Sequence, residues 1–433
     1  MPWNFASFHQ SRPERKRMKN RSPLVIVFFT VFLDLLGFGI LIPLLPYVTR
    51  EFHATEIQAG LLMATYSIMQ FLFAPLWGRL SDRVGRKPII LLSLAGSTLG
   101  YVFFAFAQSL KLLFISRIVS GIAAANISTA QAIVADCLPP EKRTHGMGMV
   151  GAAIGLGFVL GPALAGILVS DHHYMLPFVV AASLSGIDLV MAWFLLPETV
   201  NLRDDQHLEE RRFSLDRLIE SLEVPHIPRL LGASLLYFTA FSVMESTIAF
   251  YGSDLFAMTA RQNGYILFGV GIILVIIQGR VVGQAALRFG DHNLILFGAG
   301  GVMAGLLMMT AAPFFWFFVV SALVMAAASG LVIPSLTSLI SQLSTPEVQG
   351  GILGMNQSMA SLGRILGPLA GTAIYQWAGP RYPFFSSAVL ILAVFGILLP
   401  LKSAPGIEYA SEPMVTGPGR SDTREEELAK SKK

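Results

Sequence analysis

Apolar runs of about 20 residues or more, parted by short polar turns, fill the chain from about residue 24 to residue 401. A helix of about 20 apolar residues crosses the hydrocarbon core of a bilayer. On that measure spans are expected at 24–48, 57–77, 88–108, 110–138, 146–169 and 174–197, and again at 228–252, 262–286, 293–312, 314–342, 351–377 and 382–401. The two sets are separated by a stretch from Glu198 to about Pro225 in which charges crowd together, the pattern of a solvated linker. The pattern predicts an all-α integral membrane protein of about twelve transmembrane helices. The expected divisions are a basic cytoplasmic N-tail over 1–23, a six-helix bundle over 24–197, a cytoplasmic linker over 198–227, a second six-helix bundle over 228–402 and a disordered cytoplasmic tail over 403–433.

An internal repeat relates the two sets. Pro140-Glu141 recurs as Pro346-Glu347, Gly148-Met149 as Gly354-Met355, Gly157 as Gly363, and Leu160-Gly161-Pro162 as Leu366-Gly367-Pro368, all at one spacing. A spacing one residue shorter carries Pro23 onto Pro228, and Gly78, Arg83 and Gly85 onto Gly283, Arg288 and Gly290. Six spans is an even number, so the halves keep the same orientation. They form a parallel repeat about an axis along the membrane normal, with a substrate path between them.

Composition narrows the class without changing it. Of 433 residues 54% are hydrophobic and 13% charged, against about 25% charged in soluble chains, and the mean hydropathy is +0.62. The net charge of +4 comes from loops and tails, so it marks topology and not a nucleic-acid face. Lys and Arg gather in the N-tail, in the loop around Arg83, at Lys142 and Arg143, and in the linker and C-tail. Both termini are therefore expected on the cytoplasmic side of a cell (inner) membrane. The first apolar run is too long for a signal sequence and is expected to be a retained span. The single cysteine, Cys137, excludes an intrachain disulfide and a cysteine metal cluster.

The most informative polar stretch is Gly78-Arg79-Leu80-Ser81-Asp82-Arg83-Val84-Gly85-Arg86-Lys87-Pro88, between the second and third spans. Gly78 is expected to close one apolar run and Gly85 to supply the positive φ of a tight turn, with Pro88 opening the next helix. Asp82 is expected to accept hydrogen bonds from a helix N-terminus. This stretch resembles the signature loop of the major facilitator superfamily. Gly151-Ala-Ala-Ile-Gly155-Leu-Gly157-Phe-Val-Leu-Gly161-Pro162 resembles the glycine-proline motif of its proton-driven exporters. Leu110 to Gly121, with Arg117, resembles the fourth-span motif of the same drug/proton antiporter branch. Leu33-Asp34 through Pro43 and Pro46, Ala135-Asp136 and Leu196-Pro197-Glu198 are similar to tetracycline/proton antiporters. The resemblance covers about residues 23 to 401 and implies the major facilitator fold. One position departs from the tetracycline pattern, which has an acid before the tyrosine of span three where this chain has Gly100 before Tyr101. The ninth-span acid is absent too, so a tetracycline chelate is not the expected substrate.

Individual polar residues inside the spans carry the candidate chemistry. Asp34 lies near the middle of the first span, where a charge costs at least about 2.5–3.5 kcal/mol, so it needs water, a partner or a proton. Asp34 and Glu245 are the expected proton-coupling acids, with Arg117 and Arg364 as their charge partners. Gln70, Asn126, Gln131, Asn356 and Gln357 are expected to contact substrate. Asp82, Arg83 and Arg86, with Gly78 and Gly85, form the expected gating loop, and Gly157, Gly161 and Pro162 the gating helix. Asp188 is expected to have a hydrogen-bonded structural role. No metal site, cofactor or phosphate loop is expected, since His172-His173 and His207 lack a carboxylate cluster and Gly155-Leu-Gly157 lacks a dinucleotide-fold context. No nucleophile and base constellation suggests an enzyme.

Taken together, the expected activity is secondary active transport by alternating access. Proton-coupled export of small amphipathic or cationic organic molecules leads, with the lipid bilayer, protons and substrate as the expected partners of a monomer. Uptake or facilitated diffusion of a sugar or metabolite, and a non-transporting receptor or scaffold, remain the alternatives.

Overall fold

A computed structural model of the chain describes residues 22–138, 140–169, 174–199, 226–344 and 349–403. Most of the expected N-tail, linker and C-tail, with His172, His173, His207, Glu347 and the side chains of Lys142 and Arg143, lie outside the described residues. Helices α1 (Ser22–Glu51), α2 (Glu56–Val84), α3 (Arg86–Ala105), α4 (Leu110–Cys137), α5 (Pro140–Leu168) and α6 (Met175–Leu195) form the first bundle. The second holds α7 (Ile227–Phe256), α8 (Ala260–Phe289), α9 (Asp291–Ala311), α10 (Phe315–Gln342), α11 (Gln349–Ala378) and α12 (Tyr382–Leu398). Eleven of these are long and apolar enough to cross a membrane. The remaining helix, α11, has 30 residues.

The second helix of each half begins with the same device. Thr55 Oγ1 accepts from Gln58 N at 3.2 Å while Gln58 Oε1 accepts from Thr55 N at 2.9 Å. Thr259 and Gln262 repeat this reciprocal cap at the start of α8. The turn after each of these helices is also shared. Gly85 alone links α2 to α3 with φ +110°, and Gly290 alone links α8 to α9 with φ +76°. Both lie where a side chain is strained. The loop expected to start at Gly78 is therefore shorter than its sequence suggests. α2 runs on to Val84, because Gly78 to Val84 contains no residue that breaks a helix beyond a single tolerated glycine.

Close backbone contact fixes the pairing inside each bundle. A Cβ added to Gly161 would lie 2.6 Å from Leu36 O and 2.8 Å from Gly39 Cα, and one on Gly157 would lie 2.8 Å from Phe32 O, so α5 rests against α1. The repeat-related Gly363 and Gly367 touch the backbone of Phe238 and Ser242 in the same way, setting α11 against α7. Between the bundles, α5 meets α8 through Gly166 and Gly264, and α2 meets α11 where Gly60 approaches Pro368 O and Thr372. Toward the Gly85 end these helices part. Gly151 and Gly155 on α5, Gly279 and Gly283 on α8, and Gly354 on α11 have open space where a Cβ would go.

This difference is testable. Gly161→Leu should force α1 and α5 apart and destabilise the fold by about 1–3 kcal/mol, the usual scale of overpacking. Gly151→Leu should leave the melting temperature of the purified protein unchanged. Equal melting temperatures for the two variants would contradict the close approach.

Candidate functional site

The centre of the first bundle is organised by a break in α4. Its hydrogen-bonding pattern tightens to a 3₁₀ turn over Ala124–Asn126, and such a break leaves backbone carbonyls needing partners. Three side chains supply them. Trp77 Nε1 donates to Ile122 O at 2.6 Å, Ser93 Oγ to Ala123 O at 2.7 Å, and Gln70 Nε2 to Ala124 O at 3.0 Å. The break presents Asn126 to α1, where its amide donates to Asp34 Oδ2 at 2.9 Å and also to Ser93 Oγ. Ser97 Oγ from α3 donates to the other carboxyl oxygen of Asp34 at 2.6 Å. Tyr101 hydroxyl reaches the backbone carbonyl of Leu33 at 3.0 Å. Asp34 is 2% exposed, so its carboxyl group is enclosed by these partners.

Arg117 is not the partner of Asp34. Its guanidinium lies over the Phe104 ring at 4.6 Å from the centroid, and Nη1 and Nη2 have no hydrogen-bond partner among the described residues. The expected pairing misjudged depth. At about 1.5 Å per residue Arg117 sits about 13 Å along α4 from Asn126, the residue that does reach Asp34. Nor does Arg117 extend to the membrane surface, since it is fully buried.

In the second bundle Glu245 on α7 is 8% exposed and lies within electrostatic range of Arg364 on α11. No ion pair within 4 Å joins them among the described residues. Arg364 instead donates to Ser361 Oγ at 3.2 Å. Asn356 Oδ1 accepts from Ser234 Oγ at 2.6 Å. Of the five amides expected to meet substrate, Gln70, Asn126 and Asn356 are therefore tied into their own bundles, while Gln131 and Gln357 are exposed. Asp188 accepts from Thr30 Oγ1 at 2.9 Å, a structural bond between α6 and α1.

At the Gly85 turn the charges are arranged differently from their expected roles. Arg86 is 2% exposed, not a solvent-facing loop charge. Its guanidinium pairs with Asp82 at 2.7 Å and Asp136 at 3.2 Å, and donates to Ser81 Oγ at 2.6 Å. The carboxylate that caps α3 is Glu198, beyond the end of α6, accepting from Arg86 N at 2.8 Å and Lys87 N at 3.2 Å. Asp82, expected to accept hydrogen bonds from a helix N-terminus, pairs with the Arg86 guanidinium, while the cap of α3 comes from Glu198. Glu198 is remote in sequence, and only the packing of α6 beside α3 brings it there. Arg83 is exposed.

The opposite end joins the two bundles. Arg50 at the end of α1 pairs with Asp254 of α7 and donates to Ser253 Oγ at 2.8 Å, while Tyr375 of α11 donates to Asp254 Oδ2 at 2.7 Å. Tyr47 hydroxyl bonds Met258 O and accepts from Asn263 Nδ2 at 2.9 Å. Arg261 donates to Val169 O at 3.1 Å, and Ile57 N to Gln376 Oε1 at 3.2 Å.

Two six-helix bundles joined at one end and parted at the other, with acids buried at mid-span, define a multi-pass membrane transporter. Residues 27–315 and 281–419 match the family model of the Major Facilitator Superfamily, and the chain belongs to that family. It is similar to the class C tetracycline resistance protein of Escherichia coli, 33% identical over 83% of this chain and 91% of that one. It is also similar to the class B protein of Escherichia coli, 30% identical over 83% and 90%. These relatives place it in the drug/proton antiporter branch. Among solved structures, the human organic anion transporter MFSD10 (TETRAN) is 27% identical, covers 87% of this chain and 99% of its own, and superposes with a TM-score of 0.66. A bacterial homologue of the lysosomal transporter Spinster shares the fold at 15% identity, with a TM-score of 0.71 over 92% and 98% of the two chains. The chain is thus a transporter and not an enzyme.

Arg86→Gln should leave the carboxylates of Asp82 and Asp136 without their cation and destabilise the first bundle by about 3 kcal/mol. The repeat-related Asp291 accepts from Ser338 Oγ and Gln342 Nε2. Asp291→Asn keeps an acceptor there and should cost less than about 1.5 kcal/mol. Thermal unfolding of the three proteins, followed by tryptophan fluorescence, compares the losses.

Proposed function

We propose that this chain exports small amphipathic or cationic organic molecules in exchange for protons, by alternating access. The observation that carries this reading is Asp34, enclosed at mid-span by the neutral donors Ser97 and Asn126, with no cation within ion-pair distance among the described residues. At mid-span, a carboxyl group that meets only neutral donors can bind and release a proton as the surrounding helices move. Glu245, near Arg364 but not bonded to it, is the matching acid of the second bundle.

The basic residues beside Gly85 favour a cytoplasmic position for that end, and on this reading the network around Arg50 and Asp254 closes the outer face and the described state is open inward. Gly157, Gly161 and Pro162 lie on α5 between α1 and α8, where bending of α5 would change both contacts. The end of α2 and start of α3, with Gly78, Asp82, Arg83, Gly85 and Arg86, would close against the start of α11 in the opposite state.

The substrate reading has one specific competitor. Arg364 has its guanidinium outside ion-pair distance of Glu245, and a relative's structure is that of an organic anion transporter. Both favour substrates with an anionic group. Tetracycline itself is disfavoured by position 100, where any side chain would collide with Ser120.

In inverted vesicles with a pH-sensitive dye, adding a substrate found by survival screening in an exporter-deleted host should release protons from energised wild-type vesicles. Asp34→Asn, which keeps an acceptor for Ser97, should reach the membrane at normal levels and give no proton release. Proton-coupled flux that persists in that variant would remove Asp34 from the mechanism. At the outer face, Arg50→Ala should weaken closure by no more than about 1 kcal/mol, because Arg50 and Asp254 are partly exposed. Crosslinking between cysteines introduced at positions 57 and 376, in a Cys137→Ser background, should fall correspondingly.

A further inference from the structure

On the flank of the first bundle α3 and α6 enclose a groove of about 770 Å³ that opens outward from the protein. Its walls are apolar and come from one face of each helix, with Leu91 and Ala95 on α3 facing Leu189, Trp193 and Phe194 on α6. Spacings of four residues put these side chains on a common stripe. Trp193 and Phe194 are 62% and 76% exposed, which on a membrane-spanning helix means contact with lipid.

One end of the groove is polar. Lys87 lines it there, and its ammonium donates to Trp193 O at 2.8 Å. An ammonium has three donors, so two are left over. The acids beside the turn make no ion pair with this ammonium among the described residues, although Glu198 accepts from Lys87 N at 3.2 Å. Asp82 and Asp136 are paired with Arg86, and Glu198 caps the N-terminus of α3. No ion pair within 4 Å involves Lys87 among the described residues.

The groove's length fits a particular occupant. From Lys87 to Ala95 it runs about 12 Å along α3, close to half of a hydrocarbon core of about 30 Å. That is the depth of one leaflet, with Lys87 and Trp193 at the interface where cations and tryptophan indoles are stable. An ammonium with donors to spare and no ion pair among the described residues, above an apolar slot one leaflet deep, matches a lipid with a negative headgroup.

We propose that the α3–α6 groove is a binding site for an anionic phospholipid, its phosphate held by Lys87 and one acyl chain lying between Leu91, Ala95, Leu189 and Phe194. Basic pockets between transmembrane helices recognise such headgroups through the same chemistry.

The test uses the full chain purified in detergent and native mass spectrometry with phosphatidylglycerol and phosphatidylcholine of identical acyl chains. The wild type should retain phosphatidylglycerol about fivefold better than phosphatidylcholine, the scale set by one basic residue at an anionic surface. Lys87→Gln should abolish that preference, and Ala95→Phe, which fills the slot, should lower retention of both lipids. Because Lys87 sits at the start of α3 beside the Gly85 turn and its variant could fail to fold, Ala95→Phe serves as the independent arm. Equal retention of the two lipids by the wild type, or a preference unchanged in Lys87→Gln, would overturn the proposal. So would Ala95→Phe retaining lipid as the wild type does. Elution of the wild type as a dimer that Ala95→Phe dissociates would assign the groove to a second copy of the chain and overturn it equally.

Discussion

A guanidinium removed from water must find its compensation inside the protein, and Arg86 is the place where the first bundle meets that demand most fully. It lies one residue after a glycine turn, 2% exposed, and draws in Ser81 and Asp82 from α2 and Asp136 from α4. Glu198 caps the backbone of the same turn. A single buried cation thereby ties α2, α3 and α4 together, and the Glu198 cap adds the end of α6. Leaving such a charge unpaired costs several kcal/mol, so the arrangement is specified tightly.

The second bundle meets the same geometric need with opposite polarity. Gly290 repeats the turn, but Asp291 takes the position of Arg86 and is held by Ser338 and Gln342 of α10. His292, which takes the position of Lys87, bonds Leu398 O as Lys87 bonds Trp193 O. The backbone arrangement survived duplication while the charges changed. A polar residue that crosslinks the third helix of each half to its neighbours is thus the retained requirement, and among the described residues the buried ion pairs belong to the first half.

The mid-span chemistry follows from a different constraint. A helix inside a bilayer cannot leave carbonyls unbonded, yet α4 breaks its own pattern at Ala124–Asn126. The side chains of Trp77, Ser93 and Gln70 make the break tolerable. Asn126 can then bond Asp34. Arg117, by contrast, keeps a guanidinium with unpartnered nitrogens over an aromatic ring. Under the proposed cycle, an acid held by neutral donors and a buried cation whose Nη1 and Nη2 lack partners among the described residues are groups whose partners can change as the bundles move.

Span number and approximate boundaries were legible in the chain itself, because about 20 apolar residues per crossing leave a periodicity that polar turns interrupt. The repeat, the bundle architecture and the glycine at the turn were legible too, since spacing and conformational freedom are properties of the sequence. Side-chain partnership was not. Arg117 seemed to match Asp34 because depth was estimated by counting from uncertain helix ends, whereas the true donors, Ser97 and Asn126, are ordinary polar residues with no sequence signal of their own. The cap of α3 is Glu198, distant along the chain and without a sequence signal for that role. Sequence determined which segments must leave water, because transfer of apolar surface depends on local composition. Tertiary structure alone decided which buried polar groups meet, because that depends on the rotation and depth at which separate helices pack.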